Sequence, residues 1–600
     1  GLWRRTTLEQ YRSDGPDWEV LIDVDHLAAT DGESWVWAGV DVIHPDNNRA
    51  LVRLSRGGSD AAVVREFDLA ARQFVADGFV LPQAKTDISW EDEDTVLVGT
   101  DFGAGSLTES GYPRVIKRWR RGDALSEAQT VFSGSTGDVA VGASVDRTPG
   151  FRRTLIQRSV DFFNTETYEL RGAELIRLDT PTDASVGVHR EYLVLLLKSD
   201  WLRGEGTYPA GALLITDYEQ FLGGTGQLHV VFEPDARSSF SHSAWTRDEL
   251  VIVTLADVAS RVDVVTADRQ AEPQPGIPDN TDTSIVAADP HGDEVFLDSS
   301  GFTTPSQLLH GVPGSPLEVI KSAPAFFDAD DLEVEQRFVA SADGTSVPYF
   351  VVRHRDSTGP GPTLLGGYGG FQVSRTPAYD GVLGRLWLAR GGNYVMANIR
   401  GGGEYGPSWH QQAQRGGRSR AFEDFAAVAT DLVTQGVTTV EMLGATGGSN
   451  GGLLMGVMLT RYPGLFGALV CSVPLLDMRR FHLLLAGASW VAEYGDPDDP
   501  ADWQFLQAYS PYHNIAEDRS YPALLITTST RDDRVHPAHA RKMTAALEAA
   551  GHRVRYYENI EGGHAGAADN AQAAFRSALM FEFLWQTIGA GDANMPRTPR

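Results

Sequence analysis

A change of rhythm near residue 320 constrains this chain more than any other feature. Before it, short β-branched or alternating runs follow one another at 36–42, 50–55, 62–68, 95–99, 192–198, 212–217, 229–232, 250–255 and 261–266. Turn-forming clusters such as Asp46-Asn47-Asn48, Arg56-Gly57-Gly58-Ser59-Asp60 and Gly223-Gly224-Thr225 separate them, and helical periodicity is nearly absent. A loose repeat runs through this half. Trp90 and Trp245 each precede an acidic turn and an apolar strand, and 290–297 has the turn and strand without the tryptophan. Hairpins recurring every few tens of residues suit the four-stranded blades of a β-propeller, with paired β-sandwiches as the competing architecture.

Beyond Pro324 strands alternate with helices. Runs at 363–365, 394–398, 441–446, 468–473, 523–527 and 554–558 read as strands. Those at 423–435, 453–461, 538–550 and 571–587 have helical spacing. This alternation predicts a mostly parallel sheet with helices on both faces, whose chemistry belongs at the carboxyl ends of the strands. The predicted division is 1–322 for the all-β part and 323–600 for the α/β part.

Composition narrows the partners. A formal net charge of −29 repels phosphate backbones and anionic lipid, so neither nucleic acid nor membrane is expected. No run approaches the ~18 apolar residues that span a bilayer. Cys471, the one cysteine, lies in an apolar stretch and reads as core. The first residues carry no signal-peptide pattern, and a cytoplasmic monomer is the default expectation. No metal-ligand set is visible and no cofactor is expected.

The sharpest motif is Gly447-Gly448-Ser449-Asn450-Gly451-Gly452, between a strand and a helix. A serine at such a turn has its hydroxyl exposed, and glycines let the backbone fold tightly around it. A nucleophilic serine needs a base, and the base needs an orienting carboxylate. Among the downstream histidines only His564 lies in a glycine-rich loop just past a strand (Glu561-Gly562-Gly563-His564). His552 precedes that strand, and His536 and His539 open a helix and read as surface residues. The carboxylate should close the preceding strand, where Asp532 and Asp533 both qualify and spacing does not choose between them.

With Tyr462-Pro463-Gly464-Leu465-Phe466-Gly467, Leu476-Asp477-Met478, Asp532-Asp533-Arg534-Val535 and Gly367-Tyr368-Gly369-Gly370-Phe371, the serine motif resembles the prolyl oligopeptidase family. The resemblance spans roughly residues 340 to 570. It implies a seven-bladed propeller before an α/β-hydrolase domain; the family's leading helical segment has no counterpart in this sequence, which starts directly in the β region. It selects Asp532 for the triad with Ser449 and His564. It makes the Tyr368 hydroxyl an oxyanion donor, with the Asn450 N–H as the second. It implies a proline pocket floored by Trp490 and walled by Phe371, Tyr494 and Val535, with Arg534 on a substrate carbonyl. Pro474, Leu475 and Gly366 depart from the family pattern. The implied activity is cleavage of short peptides after proline or alanine. An esterase or amidase is the alternative within enzymes, and a binding propeller with an inactive hydrolase domain the alternative outside them.

Overall fold

The computed structural model describes residues 1–266, 269–278 and 281–589; residues 590–600, assigned above to the second part, lie outside the described residues. The first half forms six antiparallel blades, five of four strands and the first of five, where Gln73–Phe74 and Val80–Ala84 both pair with Ala62–Asp68. Their first strands are Trp35–Val42, Asp87–Asp92, Ala140–Asp146, Ser185–His189, Ser238–Trp245 and Asp282–Ala288.

Period-two alternation explains how the blades stack. In the strand Thr95–Gly99 every residue is buried. Val96 and Val98 face the first blade, meeting Leu51 and Val64. Leu97 faces the third blade, meeting Val141 and Ile156. An inner strand is therefore apolar throughout because both of its faces are covered.

The expectation of seven blades is corrected to six among the described residues. Only a two-stranded ribbon, Leu2–Arg5 with Glu19–Asp23, stands between the last blade and the first. Its Leu21 and Ile22 bury against Ala50, Val52 and Leu54 of the first blade. On the other side Arg12 pairs with Glu318, and Lys321 donates to the Ser13 carbonyl. Two short helices beside the ribbon, Leu8–Arg12 and Val24–Asp31, were not visible in the sequence pattern.

The second half is one eight-stranded sheet. Its strands are β1 (Leu332–Ala340), β2 (Ser346–His354), β3 (Thr363–Gly366), β4 (Asn393–Ala397), β5 (Leu443–Gly448), β6 (Ala468–Ser472), β7 (Ala523–Ser529) and β8 (Arg555–Asn559). The order is β1-β2-β4-β3-β5-β6-β7-β8, antiparallel as far as β4 and parallel from there on. Helices α1 (Ser419–Thr434), α2 (Asn450–Arg461) and α3 (Ala538–Ala549) cover one face, and α4 (Asn570–Ile588) covers the other. Alternate residues divide accordingly, Leu365 and Val395 toward the first face and Leu364 and Met396 toward the second. This is an α/β-hydrolase sheet behind a propeller. No helix among the described residues is long and apolar enough to cross a membrane.

Where the halves meet, Ser239 of the fifth blade donates to the Glu404 carbonyl at 2.9 Å. The Glu404 carboxyl is buried, with Oε1 accepting from Arg375 N and Asn398 Nδ2. Burial pushes it up to about 7 from 4.5. Between those values the folded state holds a proton that the unfolded chain has lost, so stability falls as pH rises through this window. Glu404→Gln should therefore gain on wild type from pH 5 to pH 8, by about 3 kcal/mol at the upper end. Thermal melts showing the same gap at both pH values would refute this.

Candidate active site

The site is built at the carboxyl ends of β5, β7 and β8. Ser449 follows β5 with φ 58° and ψ −117°, a left-handed conformation that is strained for a side-chain-bearing residue. Crowding imposes the glycines around it. A Cβ on Gly447 would stand 2.3 Å from the Gly451 carbonyl oxygen, one on Gly451 2.9 Å from that of Gly367, and one on Gly452 2.7 Å from Pro474. Gly448 has ordinary room. The Ser449 side chain does not cap α2, and its backbone N–H is tied to Ser472 O at 2.9 Å.

Asp532, past β7, has a fully buried carboxylate. Its Oδ2 meets His564 Nδ1 at 2.8 Å, while Oδ1 accepts from the backbone N–H groups of Arg534 and Val535. Asp533 points elsewhere. Its carboxylate accepts from the backbone N–H groups of Asp60 and Ala61 in the first blade, at 2.7 and 3.0 Å.

The Tyr368 phenol ring lies over the serine turn, its Cδ2 3.6 Å from where a Cβ on Gly451 would stand. Burial raises its pKa against the pull of Arg418, so at neutral pH it remains a donor. Asn450, next in the chain, holds the Tyr368 carbonyl through Nδ2 at 2.7 Å.

Phe371 meets Tyr494 edge-on with ring centroids 5.6 Å apart, and Trp490, Tyr494 and Val535 are buried in one cluster with Phe371 against it. Tyr494 is completely enclosed, its hydroxyl on Asn450 Oδ1 at 2.8 Å. Pro474 packs under α2 against Gly452, and Leu475 is core. The space beyond Gly366 is taken by the Tyr394 hydroxyl, 3.2 Å from where a Cβ would lie. His539, read from sequence as a surface residue, is instead buried. Its Nδ1 accepts from Leu476 N and Asp477 N, and burial lowers its pKa to about 4.

The first half contributes groups that sequence reasoning missed. Arg534 makes a two-pronged ion pair with Asp60 at 2.8 and 2.9 Å, where a substrate contact was expected. Gly57 O accepts from Gly563 N, next to His564. Phe162 stands edge-on to Phe371 at 5.0 Å. The Gly57-to-Asp60 stretch was legible only as a turn, because nothing local shows what a turn will touch. A cavity of about 1220 Å³ opens between the halves, lined by Lys85, Glu109 and Phe163 on one side and Gln372, Ser489 and Asp533 on the other. Ser449, Asp532 and His564 do not line it, although Asp533 adjoins one of them.

Comparison with known proteins agrees with this geometry. The prolyl oligopeptidase family matches residues 383–591, and the prolyl oligopeptidase N-terminal β-propeller domain matches residues 1–314. An uncharacterized peptidase, y4nA of Sinorhizobium fredii, is 43% identical over 98% of this chain and 83% of its own. A second relative, uncharacterized peptidase RP174 of Rickettsia prowazekii, is 34% identical over 98% of this chain and 85% of its own. The solved structure of a post-proline cleaving enzyme from Rickettsia typhi superposes with a TM-score of 0.94 at 33% identity, covering 98% of this chain and 89% of that one. A propeller joined to a hydrolase sheet with these relatives defines a serine peptidase. The chain belongs to the prolyl oligopeptidase family.

The docked turn gives a direct test. Gly57 has φ +64°, and a Cβ there would lie 2.3 Å from Glu561 O, in the loop that carries His564. Gly57→Ala should displace that loop and lower turnover by roughly tenfold or more while far-UV circular dichroism is unchanged. Wild-type turnover in this variant would show that the turn does not bear on the loop.

Proposed function

We propose that this peptidase cleaves short peptides on the carboxyl side of proline, through an acyl-enzyme on Ser449. The observation that carries the chemistry is the 2.8 Å pair between His564 Nδ1 and a buried Asp532 carboxylate, at the same end of the sheet as a serine held in a strained turn. An acceptor-only carboxylate keeps the proton of neutral imidazole on Nδ1, which leaves Nε2 free to take the serine proton. Ser449 Oγ then adds to the peptide carbonyl. The Tyr368 hydroxyl and the Asn450 N–H receive the oxyanion, and His564 returns its proton to the departing amine. Water, activated by the same imidazole, releases the acid.

Asp532→Asn should cost on the order of 10³–10⁴ in kcat by favouring the wrong tautomer, and Ser449→Ala should abolish turnover. Asp533→Asn should cost far less, since its partners are backbone groups of the first blade. Steady-state kinetics on the three variants decide this, and equal losses at the two aspartates would remove Asp532 from its role.

Selectivity rests on Trp490 with Phe371 and Val535, apolar groups suited to a flat ring without charge, with the enclosed Tyr494 packed edge-on behind Phe371. The relative described as a post-proline cleaving enzyme supports this reading. Trp490→Ala should lower kcat/KM for proline peptides by about 1–3 kcal/mol while sparing a small ester that does not reach the pocket. Equal losses on both substrates would indicate general damage. A wild-type enzyme that hydrolyses simple esters but no proline peptide would favour an esterase.

A further inference from the structure

Beneath Ser449 lies a set of charges that the proposed chemistry does not use. Glu493, Arg418 and His410 have side-chain exposures of 0%, 1% and 4%. They come from three separate elements: the short helix Val491–Tyr494, the residue just before α1, and the short helix Pro407–Gln411. Glu493 Oε2 meets His410 Nε2 at 2.6 Å, and Oε1 accepts from Arg418 Nη1 at 2.6 Å and from Phe371 N at 3.0 Å. Arg418 Nη2 donates to Asn450 Oδ1, which also accepts from the Tyr494 hydroxyl. Because arginine only donates, the Asn450 amide has one orientation, and its Nδ2 is left to hold the Tyr368 carbonyl.

The contacts close a circuit. It runs from Glu493 to Phe371, along the backbone to Tyr368, across to Asn450, and back through Arg418. Burying ions is costly, and apolar replacements of similar volume are often at least as stable, so stability does not account for the circuit. What it does hold is strained. Phe371 and Gln372 have φ of +56° and +58° at the end of the turn that presents Tyr368, and Ser449 has +58° just before Asn450. Such conformations persist only where surrounding contacts over-determine them.

We propose that Arg418 and Glu493 are positioning residues that fix the two oxyanion donors, Tyr368 and Asn450, relative to each other. The proposal rests on the reading of those two groups as oxyanion donors. Neither charged residue touches substrate; each acts through the backbone it holds. The arrangement suits the need of an oxyanion site for donors already aimed before charge develops, since reorganisation would use up their advantage.

The test is a double-mutant cycle on the full chain, read by the rate at which a fluorophosphonate labels Ser449 and by kcat on a peptide anilide. The fluorophosphonate arm does not depend on proline preference. Tyr368→Phe alone should slow both by roughly 10²-fold. Arg418→Met should slow both comparably with KM nearly unchanged, and Arg418→Lys should restore part of the rate by keeping the charge. In the Tyr368→Phe background Arg418→Met should cost at least about tenfold less than in wild type, because one of its targets is already gone. Additive losses would overturn the proposal and leave Arg418 a structural ion. A silent Tyr368→Phe would overturn the oxyanion reading itself, which separates the two failures. Should Arg418→Met fail to fold, Asn450→Ala replaces it. That variant keeps the backbone N–H, so its loss of rate must show the same non-additivity with Tyr368→Phe or the proposal falls.

Discussion

The backbone crowding at the turn after β5 governs the rest of the catalytic half. Gly447, Gly451 and Gly452 stand where a Cβ would collide with backbone or Pro474, so the chain comes closer to itself than side chains permit. Ser449 is forced to a positive φ, and its side chain does not cap the helix it precedes. The strain, of order 1–3 kcal/mol, is sustained by the sheet behind and the helix ahead. β5 is flanked by parallel partners on both sides, and α2 is buried along nearly its whole length.

Asp532 and His564, proposed as orienting carboxylate and base, sit on more open ground. They lie in loops past β7 and β8, the last two strands, of which β8 is the sheet's edge. Their second support is the turn of the first blade, through Asp60, Gly57 and the backbone N–H groups held by Asp533. In the proposed mechanism a serine fixed by its own domain thus works with a pair of groups fixed partly by the other.

Much of this was legible in sequence. The strand-by-strand reading of the first half named strands in five of the six blades, because inner strands are apolar on both faces, but none in the third, at 140–177; the tryptophan repeat marked the first hairpin of two blades, at Trp90 and Trp245. The six parallel strands and four main helices of the second half were found within a few residues. The hairpin β1–β2 follows directly on the change of rhythm and was not among the strands read there. The blade number was misjudged because resemblance supplied it, whereas the ribbon's two strands are a fact of tertiary packing. Ser449, Asp532 and His564 each had a local signal in glycine or strand context. Arg418, Glu493 and His410 had none, because a buried charge looks like a surface charge until its partners, up to 122 residues away, are known.

The turn at Gly57 also bears on how such proteins inherit their parts. Propeller and hydrolase are continuous segments that could be exchanged as modules by a single recombination. Yet one blade turn must offer a residue without Cβ against Glu561, a carboxylate to Arg534 and two N–H groups to Asp533. A foreign propeller lacking these would fold and join but leave the loops beside it unsupported. The two halves are therefore separable as architecture but bound together as lineage, each restricting which versions of the other it can accept.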